Sequence, residues 1–338
     1  MSAVTAALKA TALASPIELS VPVRRIVTFH SGSLQELVFA LPALKALRET
    51  FEGAPLCAVV REGLAQLLES SALVDEVLTR PEGGLSSQAG LMAKLHAHHF
   101  DIAVAFSTSR KSTLLMWSSG APVRIGFSGA KMDALFTHRV EKEQSLPPTI
   151  DAFLDLTRAA GCAPRCFDYA GVLRPAPSFE RDAAMLLQER GIDGSFLLCA
   201  PQTENARPRE SGGLSTSVWA QALAELSVRR PVVLIGQKPN LALLRAVRDF
   251  DHSSAIHDLG GDMENATLAA LCGRAEVFAG QAGGASHLSA AMGTPVVAIC
   301  PSEKLREICE PRCVPNRLLK REVESLKIVR AVRELIGV

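Results

Sequence analysis

The chain has 338 residues, 48% of them hydrophobic and 21% charged, which is material for two ordinary domains. Lys plus Arg number 36 and Asp plus Glu 35, a formal charge of +1, which argues against nucleic acid as a partner. Aromatics at 5% argue against a stacking platform for single strands, and no apolar run has the length of a membrane span.

Residues 1–22 are expected to form a short helical or loose extension rather than a signal peptide. The first strand is predicted at Arg25–Phe29. A helix over Gln35–Thr50 follows, with Leu37, Leu41, Leu44 and Leu47 three or four apart and Pro42 marking a first turn or a kink. Strands at Leu56–Val60, Val74–Leu78, Ile102–Phe106 and Val123–Gly126 alternate with helices around Gly63–Ser70, Leu91–His98 and Lys111–Ser118. A further helix spans Asp151–Ala160. The alternation predicts a parallel sheet covered on both faces.

Pro164, Pro175 and Pro177 mark Cys162–Phe179 as the linker region. The pattern then restarts. Helices are predicted at Glu180–Arg190, Val218–Leu226, Leu241–Phe250, Leu268–Cys272 and Ala285–Met292. They alternate with strands at Phe196–Ala200, Pro231–Gly236, Ile256–Asp258, Val277–Gly280 and Val296–Cys300. The end, Glu324–Ile336, reads as an amphipathic helix. The fold class is therefore α/β, with two Rossmann-like αβα domains facing across a cleft. The expected boundaries are an extension (1–22), a first domain (23–165), a linker (166–180), a second domain (181–322) and a terminal helix (323–338). In such sheets ligands sit beyond the strand C-termini.

The eight cysteines are dilute. Cys162/Cys166 and Cys309/Cys313 lack the spacing of common zinc sites, so reduced thiols and no metal are expected. The His96, His98, His99 run reads as a polar helix end. Ser286-His287 lacks the nucleophile elbow of a hydrolase, and Ser31-Gly32-Ser33 is no dinucleotide fingerprint.

The richest segment is Val277–Cys300, where a strand enters a glycine turn and then a helix. Gly280, Gly283 and Gly284 permit close backbone approach, and the helix start offers free N–H groups to an anion such as a diphosphate. Here the chain resembles the bacterial heptosyltransferase family, glycosyltransferase family 9. That family's signature reads G-N-D-S-G-P-M-H-L-A-A-A-L-G-T-P. Its counterpart is Gly280, Gln281, Ala282, Gly283, Gly284, Ala285, Ser286, His287, Leu288, Ser289–Ala291, Met292, Gly293, Thr294 and Pro295. Leu259–Leu271, Gln35–Arg48, Arg124–Phe127 and His138-Arg139 resemble further family motifs in the same order.

The resemblance implies a GT-B fold and inverting transfer of a heptose from ADP-heptose to a lipopolysaccharide core or related envelope glycan. It implies no bound cofactor. The expected partners are a nucleotide sugar and a glycolipid or glycan acceptor, in the cytoplasm, with peripheral contact at the cytoplasmic face of the inner membrane. The family's catalytic aspartate falls at Glu36, which keeps the carboxylate and adds a methylene; a plain helix-end acid is the alternative. His30, just after the first strand, is a second candidate for proton handling. Gly280, Gln281, Gly283, Gly284 and His287 are assigned to the donor. Ser31, Ser33, Ser109 and Arg110 are assigned to the acceptor side.

Two departures stand out. The family's phosphate-binding lysine falls near Gly212, leaving Arg207 and Arg209 to compensate. The family's signature aspartate is Ala282, whose methyl accepts no hydrogen bond. The sequence thus leaves two alternatives to the heptosyltransferase reading. One is a weak or inactive relative that binds a sugar nucleotide or a protein. The other is a transferase with a different donor sugar.

Overall fold

The computed structural model describes residues 22–30, 32–84, 86–142, 147–165, 167–201, 214–238, 240–250, 255–261 and 263–337. The first half runs β1 (Ile26–His30), α1 (Leu34–Thr50), β2 (Leu56–Arg61), α2 (Glu62–Glu69), β3 (Glu76–Arg80), α3 (Ala89–Ala97), β4 (Ile102–Phe106), α4 (Arg110–Ser118), β5 (Val123–Phe127), β6 (His138–Val140) and α5 (Ile150–Ala159). The second opens with α6 (Pro177–Gln188), β7 (Leu197–Ala200), α7 (Thr216–Ser227), β8 (Val232–Leu234), α8 (Leu241–Arg248) and β9 (Ile256–Asp258). It closes with α9 (Asn265–Arg274), β10 (Val277–Gln281), α10 (Gly284–Ala291), β11 (Val296–Cys300), α11 (Arg306–Cys309), β12 (Asn316–Lys320) and α12 (Ser325–Ile336).

Each half holds a 6-stranded parallel sheet. The orders are β3-β2-β1-β4-β5-β6 and β12-β11-β10-β7-β8-β9. Counted from its own first strand, each half has the same doubly wound order, whose chain reversal opens a crevice between β1 and β4 and between β7 and β10. The central strands β1, β4, β7 and β10 are buried throughout because helices cover both faces. Alternate residues then feed different cores. In the first sheet, Ile26, Ala58 and Val104 point to one core. Val27, Val59 and Ala105 point to another on the opposite face. In the second sheet, Leu198, Phe278 and Ala298 join the same core as Ile26. Leu197, Val277 and Val297 pack away from it. One hydrophobic core therefore spans both halves.

Helix α1 lies within that shared core. Ser33 caps it, its hydroxyl accepting from the Glu36 amide at 3.5 Å, and the acidic Glu36 suits the positive end of the helix dipole. Pro42 lies inside the helix, which runs unbroken to Thr50. Leu37, Val38, Leu41, Leu44 and Leu47 are all buried, each worth about 1.5–3 kcal/mol of transfer free energy. α1 packs on α5 in its own half and on α10 in the other, and α2 packs on α9.

Two details differ from the sequence expectation. The first four residues of α6 fall inside the expected 166–180 linker, because Pro177 starts a helix rather than punctuating a loop. The expected packing of the terminal helix toward the first domain is corrected: α12 packs on α7 and on β10 to β12. Its Ile328, Val329, Ala331 and Val332 fill the second sheet's outer core. Ser325 donates to Gln221 at 2.8 Å and Arg333 pairs with Glu225 at 3.0 Å, both on α7.

Candidate active site

The C-terminal ends of β1, β2 and β3 face the loops after β8 and β9 across a cavity of about 750 Å³. On the first-half wall, Arg61 and Arg80 end their strands as register partners. Gly32 sits beneath them at φ +105°, and a Cβ there would stand 2.1 Å from Cδ of Arg61. Glycine meets both demands, the left-handed backbone and the close approach. Arg61 pairs with Glu82 at 3.0 Å. Arg80 donates to the Ser112 hydroxyl at 3.3 Å, and Ser109, the cap of α4, donates to the same hydroxyl at 2.9 Å. Burial, then the neighbouring Arg61 charge, lower the Arg80 pKa from the usual guanidinium value. Arg110 follows Ser109 and is exposed.

On the opposite wall a smaller pocket of about 80 Å³ opens into the same cleft. Ile235, Leu259, Met263 and Leu268 make its apolar surface, with the carboxamides of Gln237 and Asn265 at its edge and Ala285 of α10 beside it. Asp258 shapes the loops here, accepting from the Asn240 amide at 2.6 Å and the Gly260 amide at 2.9 Å. A Cβ on Gly260 would come within 2.4 Å of the Lys238 carbonyl. Asn265 also reaches the first half, its Nδ2 donating to the Gly63 carbonyl at 2.5 Å.

The glycine turn lies between β10 and α10. Gly280 is held so close to β7 that a Cβ would sit 2.5 Å from the Ala200 carbonyl. Gln281 is buried, and Ala282 and Gly283 are half-buried. The Gly283 amide donates to the Ser286 hydroxyl at 2.9 Å, and Gly284 opens α10.

Both candidate histidines are corrected by this geometry. His287, assigned to the donor, is 1% exposed. Its Nε2 donates to the Ile308 carbonyl at 2.8 Å, and its Nδ1 accepts from the Tyr169 hydroxyl at 2.8 Å. Burial lowers its pKa to about 4, against the raising effect of the Ile308 bond, so the imidazole is neutral and fully engaged. His30 is 3% exposed and lies against Phe106. Thr28 donates to the Cys57 carbonyl at 3.3 Å, so it accepts from Nε2 of His30 at 3.1 Å. That leaves Nδ1 a buried acceptor without a partner among the described residues. Burial lowers this pKa to about 3, too weak a base to take a proton at neutral pH.

Glu36 is half-buried in the first turn of α1, next to the cleft-lining Ser33 and Leu34. Ser31, Arg207, Arg209 and Gly212 lie outside the described residues. The histidine run does end α3: His98 stacks on Phe100 at 5.3 Å, beside Arg25 and away from the cleft. Among the described residues no group of three or more His, Cys, Asp or Glu could hold a metal ion.

The sequence profile of glycosyltransferase family 9 (heptosyltransferase) matches residues 89–305. The chain belongs to that family. No curated protein sequence is significantly similar to it. Among solved structures, a family 9 glycosyltransferase from Veillonella parvula superposes with TM-score 0.81 at 16% identity, over 94% of this chain and 99% of the other. The ADP-heptose lipopolysaccharide heptosyltransferase II of E. coli gives TM-score 0.76 at 15% identity, over 93% and 98%. An E. coli heptosyltransferase solved with ADP gives 0.67 at 16%, over 93% and 100%. At these identities the likeness is one of fold, and the fold is GT-B: two Rossmann-like units facing across a cleft. Sugar transfer from a nucleotide-sugar donor is the general activity of the family to which the chain belongs.

Arg61, Arg80, Asn265 and Tyr169 escaped the sequence reading. The only signal for the arginines was a basic residue closing an apolar run, as in Leu56–Arg61. Nothing local distinguished Tyr169, whose partner is 118 residues away.

Proposed function

We propose that the chain is an inverting glycosyltransferase that moves a heptose from ADP-heptose to a lipopolysaccharide core or related cell-envelope glycan. The supporting observation is the pairing of walls across one cleft. An apolar pocket edged by Gln237 and Asn265 suits a nucleoside on the second half, and Arg61 and Arg80 suit an anionic acceptor on the first. Ser33, Ser109 and Arg110 join that acceptor side. The departing diphosphate needs positive groups where its charge develops. The start of α10, from Gly284, supplies N–H groups for it, and Arg207 and Arg209 supply cations. Glu36 is the general base for the acceptor hydroxyl. The reading needs no cofactor beyond the donor, and it places the enzyme in the cytoplasm at the inner membrane. No helix among the described residues is long and apolar enough to cross a membrane.

A second reading, a family member that binds without turnover, is favoured by Ala282, which removes the carboxylate from the signature turn. Calorimetry of the purified protein with ADP-, GDP- and UDP-sugars, together with product detection on a lipopolysaccharide core acceptor, separates the two. ADP-heptose binding with nucleotide release supports the transferase. Binding without release supports the second reading. Absence of binding by every donor sinks the donor pocket.

A further inference from the structure

Helix α10 packs on α1, α9, β10 and β11. It is eight residues long, opens on Gly284 and carries small side chains at Ala285, Ala290 and Ala291. One of its side-chain anchors is His287, which sits where four segments meet. Phe39 of α1 meets the imidazole edge-on with ring centres 4.6 Å apart. The Ile308 carbonyl of α11 takes the Nε2 hydrogen, which leaves Nδ1 as the lone-pair nitrogen for the Tyr169 hydroxyl. Tyr169 comes from the linker, is 1% exposed, and also packs on Phe39 at 6.4 Å. The linker grips the far end of α10 as well, through the Gly171 amide donating to the Ala291 carbonyl at 2.7 Å.

We propose that Tyr169 and His287 are positioning residues: through them the linker and α1 set where the N-terminus of α10, and with it the donor diphosphate, stands relative to the first half. The proposal rests on the donor-side reading above. Both residues are buried at 1% exposure, so each acts through the helix it holds. Without the Tyr169 hydroxyl, Nδ1 of His287 becomes a buried acceptor with no donor, and the segment relaxes to find one. The glycine turn at the head of α10 moves with it.

The chain contains a single tyrosine. Growth on 3-fluorotyrosine therefore gives the full-length protein one 19F resonance, that of the Tyr169 ring. ADP and UDP are titrated into labelled protein, and their affinities are measured by calorimetry for wild type, Tyr169→Phe and Leu95→Ala. Leu95 lies in the core on the far face of the first sheet, so its truncation lowers stability without reaching α10. The expected result has three parts. The resonance shifts as the nucleotide saturates, Y169F weakens nucleotide binding about tenfold, a loss of the size one hydrogen bond supplies, and L95A lowers the melting temperature with affinity unchanged. Nucleotide binding with an unmoved resonance, or with Y169F within twofold of wild type, overturns the proposal and leaves the donor reading intact. Failure of wild type to bind either nucleotide overturns both.

Discussion

Arg61 and Arg80 are register partners at the ends of β2 and β3, so two guanidinium groups leave the first sheet side by side at the cleft. Arg61 pairs with Glu82, and Arg80 donates to the Ser112 hydroxyl. Like charges this close are stabilised by an anion between them.

Arg80→Gln is accordingly expected to raise KM for a phosphorylated or carboxylated acceptor about tenfold or more, with kcat changed less, since a charged hydrogen bond supplies roughly 1.5–3 kcal/mol. Steady-state kinetics at two salt concentrations is the check. Equal KM values for wild type and variant with a charged acceptor would remove Arg80 from the acceptor wall.

Gly32→Ala tests the ground under those arginines. The φ of +105° alone costs a side chain about 1–3 kcal/mol, and the new methyl displaces the Arg61 stem. Urea denaturation should show the loss of stability, and acceptor KM should rise in parallel with R61Q. A variant as stable and as active as wild type would contradict the close approach.

Glu36→Gln keeps size and removes proton acceptance. Turnover is expected to fall by about two to four powers of ten, the usual scale for a general base, with donor affinity nearly unchanged. Glu36→Asp should retain activity. Unaltered turnover in E36Q would reduce Glu36 to a helix-end acid that suits the α1 dipole.

Acid should destabilise the fold through its buried histidines. His30 and His287 have folded pKa values lowered to about 3 and about 4, from an ordinary 6.5. Their contribution is complete above pH 6.5 and is lost as pH falls toward 4, because only the unfolded chain binds these protons. Each such proton removes about 1.4 kcal/mol per pH unit in that window. The Arg48 hydrogen bond lowers the Asp75 pKa below the usual 3.8, so that pair weakens only at lower pH. Urea midpoints from pH 7.5 to 5 should therefore fall, and H287Q, lower in stability throughout, should show a shallower slope. A flat profile in wild type would mean that neither ring is buried neutral.

The alternation of strands and helices was legible because buried parallel strands such as Val296–Cys300 and Ile102–Phe106 are unbroken apolar runs. Two of the four outermost strands were not. β6 is three residues, His-Arg-Val, and β12 is Asn-Arg-Leu-Leu-Lys; both sit at sheet edges where one side faces solvent, so neither carries an apolar signature. Within the site, the glycine turn between a strand and a helix could be read from spacing, whereas the role of Glu36 rests on the family resemblance. The meaning of His287 could not be read from spacing: its burial is made by Phe39, Tyr169 and Ile308, three residues from distant parts of the chain. The arginines became a pair only through the register of β2 with β3.

The shared core also bears on how the polypeptide is made. α1 emerges from the ribosome early, yet one of its apolar faces is covered by α10, more than 230 residues later in the chain. At about 5–20 residues per second of synthesis, that face waits roughly ten seconds or more for its cover. During that interval the nascent first half presents an exposed apolar helix to its surroundings, the kind of surface that chaperones hold and that drives aggregation in truncated chains.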